Sequence, residues 1–124
     1  MVKFFEKETA PLTEYEKETL LPIMVKCLSN KVGKEKAITN EKMCEKMMKH
    51  GYIISTARVR KIINHIRING LIECLMATNY GYYITKDKKE MIDYISSLSG
   101  RIDAIQAVKN EMEEQMRRMD DKAL

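Results

Sequence analysis

Hydrophobic side chains recur at helical spacing in three consecutive segments of the chain, and the first of these begins near Thr13. Thr13 and Glu16 have the spacing of a capping box, in which a hydroxyl and a carboxylate each satisfy an otherwise unpaired backbone N–H. Pro22 lies inside the apolar run and predicts a kink or a late helix start, and Gly33 closes the segment. The apolar positions of this first helix are Leu20, Leu21, Met24, Cys27 and Leu28.

The second segment predicts a helix that follows a short extended stretch. Residues 37–39 form the extended stretch, and Asn40 is the expected N-cap of a helix over residues 41–49. Gly51 ends this helix, because glycine adopts the left-handed conformation of a C-cap without strain. The apolar side of the helix is expected to hold Met43, Cys44, Met47 and Met48.

The third segment predicts a helix that begins at a hydroxyl cap, Ser55 or Thr56, and runs to about Asn69 before Gly70 stops it. Four β-branched residues fall at positions i, i+3, i+4 and i+7, which is the spacing of a core-facing stripe. They are Val59, Ile62, Ile63 and Ile66.

A β-hairpin and a long helix complete the predicted order of elements. Residues 71–77 and 82–85 are expected to be strands joined by a turn over residues 78–81, and Asp87 opens the final helix. Two short helices joined by a tight turn and followed by a hairpin are the arrangement of a winged helix-turn-helix domain. The fold class predicted is mainly α with a small β-hairpin, in which residues 13–86 form this winged domain.

The predicted C-terminal helix, residues 87–119, carries a heptad seam that only Lys109 interrupts, at an a position. At 1.5 Å per residue, about 30 residues span about 45 Å, longer than so small a domain can cover. Pairing of two copies is therefore favoured over docking on the chain's own core. The dimerisation residues expected are Met91, Ile95, Leu98, Ile102, Ile105 and Met112. Residues 1–12 and 120–124 are expected to be flexible ends.

Positive charge is concentrated in the middle of the chain, although the net charge is only +4. Residues 31–70 hold ten Lys and Arg against three Glu, a local charge of +7, whereas residues 71–86 are neutral and the two ends of the chain are slightly acidic. This asymmetry is typical of a nucleic-acid-binding surface. A solvated face of lysines explains the charge equally well.

The third helix offers the side chains best suited to DNA, because in this motif the N-terminal part of the second helix of the pair enters the major groove. Arg and Lys donate to guanine and Asn bridges adenine, while the small Ala57, placed opposite the core stripe, permits close approach. Arg58 suits a phosphate, and Ile68 is unexpected on this side. The predicted DNA-binding residues are Thr56, Ala57, Arg58, Arg60, Lys61, Asn64 and Arg67. Each of them also fits the role of an ordinary solvent-facing residue.

The loop of the hairpin, residues 78–81, lacks the positive charge with which many wings meet DNA. Contacts from the wing are expected instead from Asn79, Tyr80 and Lys86. Of the two tyrosines in the returning strand, Tyr82 is expected to bury its ring.

Three stretches carry a resemblance to a known class of proteins. The run ISTARVRKIINHIRINGLI over residues 54–72, GYYIT over 81–85 and YISSL over 94–98 resemble the small winged helix-turn-helix proteins of phages and prophages. The resemblance covers roughly residues 13–110 and implies DNA binding in phage gene control or replication. The uncharged hairpin loop departs from the members of this class that rely on a basic wing.

Other kinds of site find little support. Cys27, Cys44 and Cys74 are widely spaced, and with only His50 and His65 beside them they lack the grouping of a zinc site. Free, buried thiols in a reducing cytoplasm are expected. No glycine-rich phosphate loop or paired nucleophile and histidine indicates an enzyme, so no catalytic residue, cofactor or small-molecule substrate is predicted. No apolar run reaches membrane length, and no signal peptide is recognised.

Two functions therefore follow from the sequence. The first is a non-enzymatic, cytoplasmic protein that binds double-stranded DNA as a homodimer, either as a regulator or as a replication-associated factor. The alternative is a protein–protein interaction adaptor that uses the same winged surface and the coiled tail. The uncharged hairpin loop and Ile68 favour the adaptor.

Overall fold

Residues 10–123, which are the part of the chain described by a computed structural model, are mainly helical with one two-stranded antiparallel hairpin. Side chains are described up to Met119. The described residues divide into two compact units, with the boundary between Lys86 and Asp87. Of the ends predicted to be flexible, residues 1–9 and Leu124 lie outside the described residues.

The first helix begins at the predicted capping box. The Thr13 hydroxyl accepts a hydrogen bond from the Glu16 backbone N–H at 3.1 Å, and the Glu16 carboxylate accepts one from the Thr13 N–H at 2.8 Å. A π-helical segment, Glu16–Leu20, leads directly into helix α1, Leu21–Leu28. Because proline has no N–H and its ring crowds the preceding turn, the wider π turn accommodates Pro22. Where a kink or a late helix start was predicted at Pro22, the chain changes from a π-helix to an α-helix.

Helix α2, Asn40–Lys49, has Thr39 as its N-cap. The Thr39 hydroxyl accepts a hydrogen bond from the Lys42 backbone N–H at 3.2 Å, so the prediction that Asn40 caps this helix is wrong. Gly51 follows the helix with φ +85°, in the left-handed region that glycine tolerates, as predicted.

Helix α3, Thr56–Ile68, begins at the predicted cap, because the Ser55 hydroxyl accepts a hydrogen bond from the Arg58 backbone N–H at 3.2 Å. Gly70, at φ +63°, lies just beyond its end. The predicted stripe on α3 is confirmed as its core-facing side, and every member is buried: Val59, Ile62, Ile63 and Ile66.

The hydrophobic core collects side chains from the three helices and the hairpin. Besides the stripe on α3, its largest fully buried members are Met24, Leu28, Met43 and Met47, and the hairpin contributes Leu75 and Ile84. Met48 was predicted to lie on the apolar side of α2, and this is wrong because 62% of its surface is exposed. The thiols are free but not deeply buried: Cys27 and Cys44 are half-buried, and Cys74 is exposed.

The hairpin is shorter than predicted. Strand β1, Leu75–Thr78, pairs antiparallel with β2, Gly81–Ile84, and Leu75 faces Ile84 in the register. The first strand starts only at Leu75 because Cys74 has φ +61°, which interrupts extended backbone. The expectation for the tyrosines is also reversed: Tyr83 is buried and Tyr82 only half-buried.

The segment that precedes α2 forms a partial third strand beside β2. The backbone N–H of Gly33 donates to the carbonyl of Ile84 at 2.9 Å, and Ile38 exchanges two backbone hydrogen bonds with Tyr82. A 3₁₀ turn, Lys34–Lys36, lies between these contacts. The extended stretch predicted at residues 37–39 is thus the part that fixes the hairpin to the helices.

Gly81 lies at a position of the hairpin where a side chain does not fit. Its φ is +115°, and a Cβ added there would lie 2.6 Å from the backbone carbonyl of Ile38. We expect Gly81→Ala to lower the free energy of unfolding by about 2–4 kcal/mol, as measured by urea denaturation. Gly100→Ala is the control, because no atom lies within 4 Å of its added Cβ and helix propensity favours alanine. Equal stability of Gly81→Ala and the wild type would contradict this account.

Helix α4, Lys88–Ala123, opens at Asp87, whose carboxylate accepts a hydrogen bond from the Lys89 backbone N–H at 2.9 Å. It continues past the predicted end at residue 119. Of the seam residues, Met91 and Leu98 are half-buried, and the exposed ones are Ile95, Ile102, Ile105 and Met112. Across residues 10–123, no helix has both the length and the apolar character needed to cross a membrane.

Candidate nucleic-acid interface

An open cleft of about 450 Å³ lies between α3 and the hairpin. Three cationic side chains, one amide and one phenol share its lining, so it offers several hydrogen-bond donors to an anion or to a base edge. Four of the predicted DNA-binding residues meet in this cleft. The full lining is Arg60, Lys61, Ile63, Asn64, Arg67, Ala77 and Tyr82.

Hydrogen bonds hold the walls of this cleft in place. Arg67 Nε donates to the Leu75 carbonyl at 3.1 Å and joins α3 to β1. The Tyr82 hydroxyl donates to Asn40 Oδ1 at 2.7 Å and joins β2 to the start of α2. The side chain that was expected to cap α2 therefore fixes the hairpin instead.

Burial raises the pKa of the Tyr82 phenol above its ordinary value, while the hydrogen bond to Asn40 and the charges of Arg60 and Arg67 act in the opposite direction. The phenol is consequently protonated at neutral pH and remains a donor to Asn40. The cleft thus presents cationic side chains and the Asn64 amide, without a fixed negative charge among its lining residues.

The first turn of α3 departs from the prediction at Ala57. Only 3% of the surface of Ala57 is exposed, so its placement on the DNA side is wrong. A helical wheel places Ala57 opposite the core stripe and therefore in solvent. In the first turn of α3, however, both Ala57 and Val59 are buried. Thr56, at the same end of the helix, is half-buried.

Arg58 is half-buried, and its guanidinium is bound by other groups of the protein. Its guanidinium donates to both carboxylate oxygens of Glu16, at 2.8 and 2.6 Å, and to the carbonyls of Ala10 and Pro11 at 3.0 Å each. The assignment of Arg58 to a phosphate is corrected accordingly. These bonds also anchor residues 10 and 11, which were expected to be flexible.

The ion pair with Arg58 has a clear electrostatic effect on Glu16. The hydrogen bonds from the guanidinium lower the pKa of the Glu16 carboxyl, although burial acts in the opposite direction. The same contact raises the pKa of Arg58. Glu16 therefore serves both the capping box and the attachment of α3 to the start of the first helical segment.

The hairpin loop gains a positive charge from a residue that the sequence analysis did not select. The ammonium of Lys34 lies 4.8 Å from the centroid of the Tyr80 ring, within the range of a cation–π contact. Lys34 is brought there by the pairing of its segment with β2. The three lysines within residues 31–36 are visible in the sequence, but no sequence pattern indicates that one of them lies beside Tyr80.

The three residues that were predicted to contact DNA from the wing face solvent. Asn79, Tyr80 and Lys86 are all exposed. The Tyr80 backbone N–H donates to the Thr78 hydroxyl at 3.1 Å, which orders the loop. Ile68, at the far end of α3, is 74% exposed.

Comparison with known proteins identifies no family. The sequence matches no family model, and neither curated proteins nor solved structures give a match. Within residues 10–123, no three His, Cys, Asp or Glu side chains are placed to hold a metal ion. What the chain does is therefore inferred from the cleft and the hairpin.

Proposed function

We propose that this chain is a winged helix-turn-helix protein that binds double-stranded DNA, with the cleft side of α3 in the major groove. The observation that carries the proposal is the meeting of Arg60, Lys61 and Asn64 in one open cleft beside the hairpin. These are the side chains that read guanine and adenine edges and neutralise phosphates. The resemblance noted in the sequence favours a regulator or a replication-associated factor of phage type.

The hairpin provides the second contact in this proposal. One side of the Lys34 ammonium faces the Tyr80 ring, and its remaining N–H groups are suited to donate to a backbone phosphate. Tyr80 is exposed and adds a hydroxyl at the same place. The proposed contact set therefore gains Lys34 and loses Ala57 and Arg58, so the missing charge of the loop is replaced from another part of the chain.

Titration of a labelled random-sequence duplex with the purified full chain tests this proposal. Fluorescence anisotropy should rise to saturation at low salt, because the basic surface releases counterions from the duplex. Absence of binding from a folded protein would overturn it. Exposed Ile53 and Ile68, at 84% and 74%, would then support the adaptor function, since exposed apolar residues suit a protein partner.

We infer further that α4 pairs two copies of the chain. Its seam, counted from Met91 to Met112 with Lys109 included, repeats in steps of four and three as in a two-stranded coiled coil, and most of its apolar members are exposed. Lys109, the polar residue in the seam, donates to Glu113 at 3.2 Å along its own helix, so its charge is compensated there. Pairing would present two copies of α3 to one duplex.

Ile102→Asp tests the pairing, because it places a carboxylate at the centre of the seam. We expect the wild type to have twice the 14.5 kDa mass of the chain in light scattering, and the variant to have the mass of one chain. Ser96→Asp adds the same charge on the same helix outside the seam and should leave the dimer intact. A monomeric wild type would rule out the pairing.

A further inference from the structure

A second open groove, of about 550 Å³, lies between α1 and α2 and shares no residue with the cleft beside α3. Its size is within the range of sites that hold small ligands. The groove is lined by Ile23, Lys26, Cys27, Lys46, Met47, His50 and Tyr52.

The lining of this groove has two chemical characters. Ile23, Met47 and Tyr52 give it an apolar floor, and all three are buried or half-buried. Lys26 and Lys46 are exposed at its sides, one on each helix. No carboxylate is among the lining residues, and neither lysine forms an ion pair with any residue of the described chain. The groove therefore combines apolar surface with two cations that lack an internal counter-ion.

We propose that this groove binds a small amphipathic anion, namely a carboxylate on an apolar chain. Inorganic phosphate would meet the lysines but leave the apolar floor in water, whereas a neutral apolar molecule would leave the lysines without a partner. A partner helix is a poor fit, because residues 23–27 and 46–50 each provide only about 6 Å of helix length. A docked helix needs anchors spread over two turns.

Decanoate is the probe for this site, and its titration into the isotope-labelled full chain is followed by nuclear magnetic resonance. Saturable shifts confined to α1, α2 and Tyr52 are expected. Decanol, which has the same number of carbon atoms without the charge, should bind about tenfold more weakly, because it lacks the charge-assisted contact with the lysines. Inorganic phosphate should cause no saturable shift in the groove.

A pair of matched variants shows whether the lysines are responsible. Lys26→Gln with Lys46→Gln should weaken decanoate binding about tenfold and leave decanol binding unchanged. Lys17→Gln with Lys49→Gln removes the same charge from exposed lysines outside the groove and should have no effect.

Any one of the following results would overturn the proposal. The first is equal affinity for decanoate and decanol, and the second is unchanged affinity in the groove variant. The third is a set of shifts spread over the whole chain, which would show a detergent-like action. Tighter binding of an acidic amphipathic peptide at the same residues would assign the groove to a protein partner instead. Because DNA binding is measured separately, failure here leaves the function proposed for α3 unaffected.

Discussion

Arg60→Glu combined with Lys61→Glu is expected to weaken the affinity for duplex DNA by about 100-fold or more. Both side chains line the cleft beside α3, and each reversal replaces an attraction to phosphate or guanine with a repulsion. A single lost base contact costs about 1–3 kcal/mol, so the loss of two contacts with added repulsion accounts for this factor. Fluorescence anisotropy with a labelled duplex at fixed salt measures it.

The control for this double variant is Lys17→Glu combined with Lys49→Glu. Both pairs of substitutions lower the net charge of the chain from +4 to zero, but Lys17 and Lys49 are exposed residues outside the cleft. The control should lose less than about tenfold in affinity, which is the part due to overall charge. Equal losses in both variants, with both still folded by circular dichroism, would mean that α3 is not the binding surface.

The second large effect is expected on stability, from Glu16→Gln. Glutamine preserves the capping box because its amide oxygen still accepts from the Thr13 N–H, so the substitution isolates the ion pair with Arg58. The paired side chains are only 8% and 15% exposed. Removing one charge from such an enclosed pair leaves the other poorly compensated, and we expect a loss of about 3 kcal/mol at pH 7.

The effect of Glu16→Gln should depend on pH in a defined direction. Since folding lowers the pKa of the Glu16 carboxyl, its contribution is complete above the ordinary value of 4.5 and is lost as the pH falls through the folded-state pKa. The gap in unfolding free energy between wild type and variant should therefore narrow below about pH 4.5. Urea denaturation at pH 7 and pH 3 measures this gap.

Glu14→Gln is the matched control for the stability experiment. Glu14 is an exposed carboxylate two residues before Glu16 on the same helical segment. Its substitution should change the free energy of unfolding by no more than about 0.5 kcal/mol. A gap for Glu16→Gln that is just as small, or one that is constant with pH, would show that the ion pair does not stabilise the fold.

The features that could be predicted from sequence are those that depend on neighbouring residues. The capping box at Thr13, the cap at Ser55 and the glycine after α3 each involve groups a few residues apart, and all occur as expected. The stripe from Val59 to Ile66 is likewise a local pattern whose period matches one side of a helix.

The features that escaped prediction depend on residues far apart in the chain. Arg58 forms hydrogen bonds with Glu16, 42 residues earlier, instead of facing a phosphate. Asn40 accepts a hydrogen bond from Tyr82, 42 residues later, instead of capping α2. Lys34 reaches Tyr80 only because its segment pairs with β2. No periodicity in the sequence encodes such contacts, so the side chains around the cleft cannot be assigned from local patterns alone.

The salt dependence of duplex binding by the wild-type chain tests the central claim most directly. Over about 50 to 300 mM salt, the logarithm of the binding constant should fall linearly with the logarithm of salt concentration, by about 0.9 for each phosphate neutralised. The contacts proposed for α3 and for Lys34 together predict a slope of about −3 or steeper for this range. A folded chain that shows no binding at the lowest salt, or binding whose strength does not vary with salt, would contradict DNA recognition by this surface.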